Sequence, residues 1–303
     1  MTESALSPKI RAMLQILGRM DFGPEAVVTK ASPVPGLSVY RAENSNTLGS
    51  SLGYVSFSVV VQGEKMTTVG DRVYRYREGE CLVCGAAVPS TFHAVGASAG
   101  RPFYAASLAL DPQMLADFGG SEDLQPPPAS VDSGVFVFKS GERLLDATLR
   151  LLELIERPGD IRALAPVYSR EIHYLLTRSE CGPQLRSLLT AGTRSHAVYT
   201  ALSWLRGSFA SEHRIEEIAE RVHMSPSAFR RQFKSVTGLS PLQYVKRLRL
   251  YEAQRLLMAG RANVSSAAYE VGYESPTQFV REYKRLFGQP PLRDVKKRIA
   301  ARA

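Results

Sequence analysis

Cysteine is scarce in this chain: three in 303 residues, Cys81, Cys84 and Cys181, too few for a disulfide-built scaffold. Long apolar runs are missing too. No stretch approaches the roughly 20 residues a bilayer span needs, and the N-terminus lacks the form of a signal peptide. The expected compartment is therefore the cytoplasm, with no membrane partner. Histidine is sparse, at five residues, and only His93 falls in the β-rich part. A metal-dependent barrel enzyme needs several histidines and a carboxylate around one ion, so neither a metal nor catalytic residues are expected. Acidic residues are in deficit, and the net charge is +9. The imbalance is local. From Arg194 onward cations outnumber anions by 11, whereas the first 193 residues lie within two charges of neutral. Phosphate contacts would need such a surplus where the binding elements lie.

What is present is a repeat. Val222 matches Val271 at an offset of 49, while Phe229, Phe233, Lys234, Gly238 and Pro241 match Phe279, Tyr283, Lys284, Gly288 and Pro291 at an offset of 50. The second copy thus carries one extra residue in its turn. Each copy reads as helix, tight turn, helix, the layout of a helix-turn-helix DNA reader. The length allows two domains, and the predicted organisation is an effector-binding and dimerisation domain over 1–180, a linker over 181–195, and a DNA-binding domain over 196–303.

The predicted class is α+β: a small jelly-roll-like β barrel with flanking helices, then an all-α domain. Residues 4–20 form an amphipathic helix with Ile10, Met13, Leu14 and Leu17 on one side. Residues 26–110 are rich in Val, Tyr, Phe and Thr and broken by Gly-containing turns, which predicts seven or eight short strands. Helix returns after Asp111, a suitable N-cap, with Pro112 at the first helical position. A loop with three consecutive prolines, 126–128, follows. Over 140–156 the residues Leu144, Leu145, Thr148, Leu151, Leu152 and Ile155 share a side. This stripe exceeds what one small barrel has to cover, so 140–178 is expected to be a homodimer interface.

In the C-terminal part, Ser225 and Pro226 open the first recognition helix. Phe229, Phe233 and Val236 form its inner face, and Ser227, Arg230, Arg231 and Lys234 its outer face. The second recognition helix starts at Pro276 and shows Thr277, Gln278, Arg281, Lys284 and Arg285 outward. Arginine in the first turns of such a helix can bond guanine O6 and N7 bidentately in the major groove. A connecting helix from Ser240–Pro241 to Met258, about 27 Å long, would hold the two units roughly one DNA turn apart.

Residues 195–295 resemble the AraC/XylS-type DNA-binding domain, through the run from Ala268 to Tyr273 and the closing Phe287-Gly288-x-x-Pro291. The resemblance implies a seven-helix module on consecutive major grooves, with base-reading positions at Ser227, Arg230 and Arg231 and at Thr277, Gln278 and Arg281. It also implies a transcription regulator, more commonly an activator, with promoter DNA and RNA polymerase as partners. The N-terminal part is similar to the cupin-like sensor half of one AraC subgroup at Val60 to Gly63, Glu78 to Glu80 and Tyr104 to Asp111, and departs from it over 42–53. A metal-dependent cupin enzyme is the alternative that the lone His93 disfavours.

Two features bear on the effector. Arg72, Arg75 and Arg77 crowd one strand, with Arg41 elsewhere in the same domain. Residues 44–49 resemble the Asp/Asn-x-Ser-x-x-Gly motif of PilZ-type cyclic di-GMP receptors, with Asn at the third position instead of Ser. Together they point to an anionic nucleotide such as cyclic di-GMP, held by Arg41, Asn44, Asn46, Arg72, Arg75 and Arg77. Strand alternation allows only one of the faces carrying Arg72 or Arg75 with Arg77 to serve. The alternative is a small neutral or electrophilic metabolite inside the barrel. Cys81 and Cys84, three apart on a strand, point to opposite faces, which suits buried thiols better than a chelate or a disulfide.

Overall fold

The computed structural model describes residues 7–45, 47–121 and 123–300, the last four by backbone alone. The chain divides into two compact units, one running to Tyr199 and taking in Ser235–Gly238, the other holding the rest.

The first unit begins with α1 (Pro8–Arg19), whose Ile10, Met13, Ile16 and Leu17 are buried at helical spacing. Residues 4–6 of the predicted helix lie outside the described residues. Nine strands follow: β1 (Val27–Ala31), β2 (Leu37–Ala42), β3 (Gly49–Ser51), β4 (Ser56–Gln62), β5 (Glu64–Val69), β6 (Arg72–Arg77), β7 (Glu80–Cys84), β8 (Ser90–Val95) and β9 (Phe103–Ala109). Then come α2 (Pro112–Gly119), β10 (Val135–Lys139), α3 (Glu142–Glu153), α4 (Ile161–Thr177) and α5 (Gly182–Leu189). The strands number ten among the described residues, more than the seven or eight expected. One of them, β10, lies in the stretch expected to be loop. Asp111 caps α2 through a bond accepted from the Gln113 amide.

The strands make two antiparallel sheets, β1-β2-β9-β4-β7-β10 and β3-β8-β5-β6. They face each other: Tyr40 of the first sheet meets Phe92 of the second edge to face, centroids 5.7 Å apart. The other side of the larger sheet packs on helices. Val39, Phe57, Val59, Cys81, Val83, Ala106 and Leu108 share one core with Met13 and Leu17 of α1, with α3, and with Ile172 and Leu176 of α4.

That core corrects one expectation. Leu144, Leu145, Leu151 and Leu152 are not a free stripe awaiting a second copy; all four are buried within the chain, and Ile155 packs against the same cluster. The stripe covers α1 and α4 as well as the sheet. Residues 181–195, expected as a partly helical and packed link, carry α5. Leu185 and Leu188 of α5 are fully buried, Arg186 donates to the carbonyls of Thr177 (3.0 Å) and Gln125 (2.9 Å), and Ser187 donates to that of Pro128 (2.7 Å). These bonds tie the proline loop onto α5.

The remaining helices are α6 (Arg194–Ser208), α7 (Ile215–Arg221), α8 (Pro226–Thr237), α9 (Pro241–Met258), α10 (Val264–Glu270), α11 (Pro276–Phe287) and α12 (Pro291–Ala300). In α9 a capping box holds the start: Ser240 accepts from the Gln243 amide while the Gln243 side chain accepts from that of Ser240. Leu250, Ala253, Leu256 and Leu257 of α9 share a core with Ala267 and Ala268 of α10 and Phe279 and Tyr283 of α11.

Candidate nucleic-acid interface

The two helix-turn-helix units are α7–α8 and α10–α11. Four residues separate the first pair of helices and five the second, which is the one-residue insertion seen in the repeat. Each second helix is 12 residues long and anchored by aromatic side chains. Phe229 and Phe233 are wholly buried in one, Phe279 and Tyr283 in the other. Tyr283 also donates to Asp294 of α12 at 2.8 Å, and the Asp294 carboxylate accepts from Gln254 of α9 at 2.7 Å. Helical spacing then fixes the opposite face outward.

That face carries the predicted residues. Ser227, Arg230, Arg231 and Lys234 are exposed on α8, and Thr277, Arg281, Lys284 and Arg285 on α11. Arg230 reaches Glu216 of α7 at 3.4 Å, a pair exposed on both sides and easily exchanged for another anion. Gln278 differs from the others in being half-buried, donating to Glu282 at 3.2 Å. Glu282 is the hub of a small network, also accepting from Lys246 (2.9 Å) and the Tyr273 hydroxyl (2.9 Å). Burial would raise its carboxyl pKa, but the bonds from Lys246, Gln278 and Tyr273 outweigh that and hold it below the ordinary glutamate value.

Arg249, on α9, plays a role that the sequence did not disclose. Its guanidinium donates to the carbonyls of Phe209 (2.8 Å), Ser211 (2.9 Å) and Gly272 (2.7 Å). It therefore ties the loop before α7 to the turn of the second unit. Gly272 has φ +88°, and a Cβ there would lie 2.3 Å from the Ala210 carbonyl oxygen. No residue pattern marks such a clamp, because its acceptors are backbone groups far apart in sequence.

The expected effector residues do not come together. Arg41, on β2, is half-buried and donates to the carbonyls of Glu25 (2.6 Å) and Gly23 (3.3 Å). Arg75 and Arg77 stand exposed on the outer face of β6, paired with Glu64 and with Glu80 respectively. Arg72, on the other face of that strand, donates to the Asp132 carbonyl. The Asn44 side chain accepts from the Thr47 amide (3.2 Å) and hydroxyl (2.9 Å), a local turn. Asn46 lies outside the described residues. Arg77 does line a cleft of about 410 Å³ with Arg101, but Glu64 and Glu78 line it too. An anion there would meet carboxylates as well as guanidinium groups.

The space between the sheets is different in kind. Into it point Ser58 and Ser107, hydroxyls 2.9 Å apart, with the Thr67 and Tyr76 hydroxyls paired at 3.0 Å on the opposite sheet. Lys65, Phe92, Ser58 and Ser107 are only half-buried although they face inward, so the chamber is not closed off from solvent. Cys84 faces it, while Cys81 lies in the helix-side core. Burial pushes the Cys84 and Cys181 thiols up to about 11 and the Cys81 thiol higher still, so none is a ready nucleophile at neutral pH.

Two antiparallel sheets with a helical layer, followed by tandem helix-turn-helix units around a central helix, define a helix-turn-helix protein with an added β domain. Two family descriptions match it: "AraC-type transcriptional regulator N-terminus" over residues 33–184 and "Helix-turn-helix domain" over 218–297. The chain belongs to the AraC/XylS family of transcription regulators. It is similar to the HTH-type transcriptional activator RhaS of Salmonella typhimurium and of Salmonella schwarzengrund, each 33% identical over 165 residues, 52% of this chain and 56% of the relative. It thus spans about half the length of the curated relatives it matches. In fold it resembles ToxT from Vibrio cholerae in its unsaturated fatty acid-bound form, with a TM-score of 0.58 at 10% identity, covering 86% of this chain and 94% of that one. The RhaS relatives are named as transcriptional activators.

Proposed function

We propose that this chain is an effector-responsive, sequence-specific DNA-binding regulator, and that α8 and α11 enter successive major grooves of promoter DNA. The observation that carries the reading is the duplicated recognition helix, with buried aromatics on one face and exposed cations on the other, in the part of the chain that holds the whole basic surplus. Ser227, Arg230 and Arg231 would read bases in one groove, and Thr277, Gln278 and Arg281 in the next. Lys234, Lys284 and Arg285 would hold phosphates. Gln278 would exchange its bond to Glu282 for one to a base. The name of the RhaS relatives favours an activator, acting on promoters as a homodimer with RNA polymerase as a further partner.

The effector would occupy the chamber between the two sheets. A cyclic dinucleotide needs several guanidinium groups around one cavity. Here Arg41, Arg72 and the Arg75–Arg77 pair are turned to separate partners, which favours a smaller molecule inside the barrel. Footprinting on the chain's own upstream region tests the DNA reading. Two protected patches about one helical turn apart are expected, with Arg230→Ala blunting one and Arg281→Ala the other, each at a cost of roughly 1–3 kcal/mol of specific binding. Unchanged sequence preference in Arg230→Ala would show that the rotational setting of α8 on DNA is wrong.

A further inference from the structure

Lys65 is placed unusually for a lysine. On β5 it stands opposite Tyr76 of β6 and Ala94 of β8, both buried, so its side chain enters the space between the sheets. Its ammonium lies 4.0 Å from the centroid of the Phe92 ring and 4.7 Å from that of Tyr40, which crosses from the opposing sheet. Among the described residues no carboxylate pairs with it and no oxygen accepts its protons. Ring faces attract a cation, but they do not replace three lost hydrogen bonds. The Tyr40 hydroxyl beside it is also buried without a partner. An ammonium and a hydroxyl, neither with an acceptor among the described residues, thus stand at one place in the chamber.

We infer that this chamber takes a small organic monocarboxylate whose oxygens accept from the Lys65 ammonium and the Tyr40 hydroxyl. The inference rests on the effector chamber proposed above and names the chemistry of its ligand. Charge balance selects the class. The other cation on the inner face of the smaller sheet is Arg72, four residues along β6 from Tyr76, about 13 Å away, and already donating to Asp132. One unpaired positive charge matches one negative charge. A phosphate or dicarboxylate would bring a second charge with no partner, and a neutral sugar would leave the ammonium uncompensated. Phe92 and Tyr40 supply an apolar wall for the ligand's carbon skeleton, and Ser58 and Ser107 line the opposite side.

The arrangement has a pH signature. Burial draws the Lys65 ammonium down to about 8, with the Cys84 thiol a lesser influence in the other direction. The other titratable groups facing it are Tyr40, pushed up to about 12, Tyr76, raised further, and Cys84, at about 11, so Lys65 loses its proton first. A bound carboxylate would restore the charged form. Affinity should therefore be flat below about pH 8 and fall up to tenfold per pH unit above it.

The test uses the full chain in calorimetry and thermal shift with butyrate, hexanoate and phenylacetate, each beside its amide. The proposal requires that at least one acid bind with at least tenfold preference over its amide, with the pH profile above. Lys65→Met should abolish that preference without lowering the melting temperature of the unliganded protein, because it removes a partly desolvated charge that has no carboxylate partner. The variant should still bind promoter DNA in the absence of ligand. Equal binding of acid and amide, an acid response that survives Lys65→Met, or affinity unchanged from pH 7 to 10 would each overturn the carboxylate assignment and leave the chamber reading standing. Binding of neither acid nor amide would overturn both, while loss of DNA binding by wild type would strike the regulator reading alone.

Discussion

His223 and Gly272 occupy the same place in the two helix-turn-helix units, 49 residues apart, and both adopt left-handed backbone, φ +54° and +88°. Glycine does so freely, whereas a residue with a Cβ loses about 1–2 kcal/mol. His223 is exposed, and its backbone donates to the Glu220 carbonyl, a bond any residue could make. His223→Gly should therefore raise stability slightly, by about 0.5 kcal/mol after the entropy of the freer unfolded chain is subtracted. Gly272→Ala should do the reverse and cost roughly 2–4 kcal/mol, since the new Cβ meets the Ala210 carbonyl and pushes at the Arg249 clamp. Urea unfolding of both variants checks the pair of signs. At this scale the sequence marked the inner and outer faces of α8 and α11 well, because aromatic spacing on a helix assigns inside and outside without further knowledge. It misled over Arg75 and Arg77, whose crowding reflects an outer strand face paired with Glu64 and Glu80. It was silent on Lys65, whose inward setting follows from a register that pairs it with Tyr76 and Ala94.

Among the elements, α3 was legible as a helix but not in its partner. Leu152 is wholly buried against the chain's own core, so Leu152→Ala should cost about 2–5 kcal/mol and leave the oligomeric state unchanged. Chemical denaturation beside light scattering would separate those two effects. The helix α4 is fixed to the start of α2 by His173. Its Nδ1 bonds the Ser169 carbonyl at 2.7 Å, and its Nε2 accepts from the Asp111 amide at 2.8 Å. Both roles require a neutral ring with its proton on Nδ1. Burial holds the pKa of this histidine below the usual 6.5. The unfolded chain then binds the proton more readily than the folded one. The stability contributed is complete above about pH 6.5 and declines as pH falls from there through the lower folded value. Unfolding midpoints from pH 7.5 to 5 should drop more steeply for wild type than for His173→Gln. Sequence periodicity could not have found this bond, since Asp111 and His173 are 62 residues apart. The strand β10 was hidden for a similar reason: its partner β7 lies more than 50 residues upstream.

For the whole molecule, the two-part organisation and the repeat were the clearest features of the sequence, because a duplicated 50-residue pattern is independent of tertiary context. The charge partition makes a prediction at the same scale. Promoter affinity should fall steeply with salt, and Lys284→Ala should reduce the slope of log K against log salt by about 1 while leaving base preference intact. Fluorescence anisotropy across a salt series would measure both. Light scattering of the full chain tests the proposed homodimer.

The helix α9 also sets a rotational phase. Each residue of an α-helix turns its axis by about 100° and advances it by about 1.5 Å. Its 18 residues therefore determine the angle between α8 and α11 as well as their separation, and Arg249, in the middle of the rod, bonds both the loop before α7 and the turn of the second unit. Inserting one residue into α9 would turn the second helix-turn-helix unit by about 100° relative to the first, and on the proposed reading would take it out of its groove on the original promoter. Inserting seven would nearly restore the angle while adding about 10 Å, the rise of roughly three base pairs. On the proposed reading, the promoters that fit are those whose two half-sites match one angular setting.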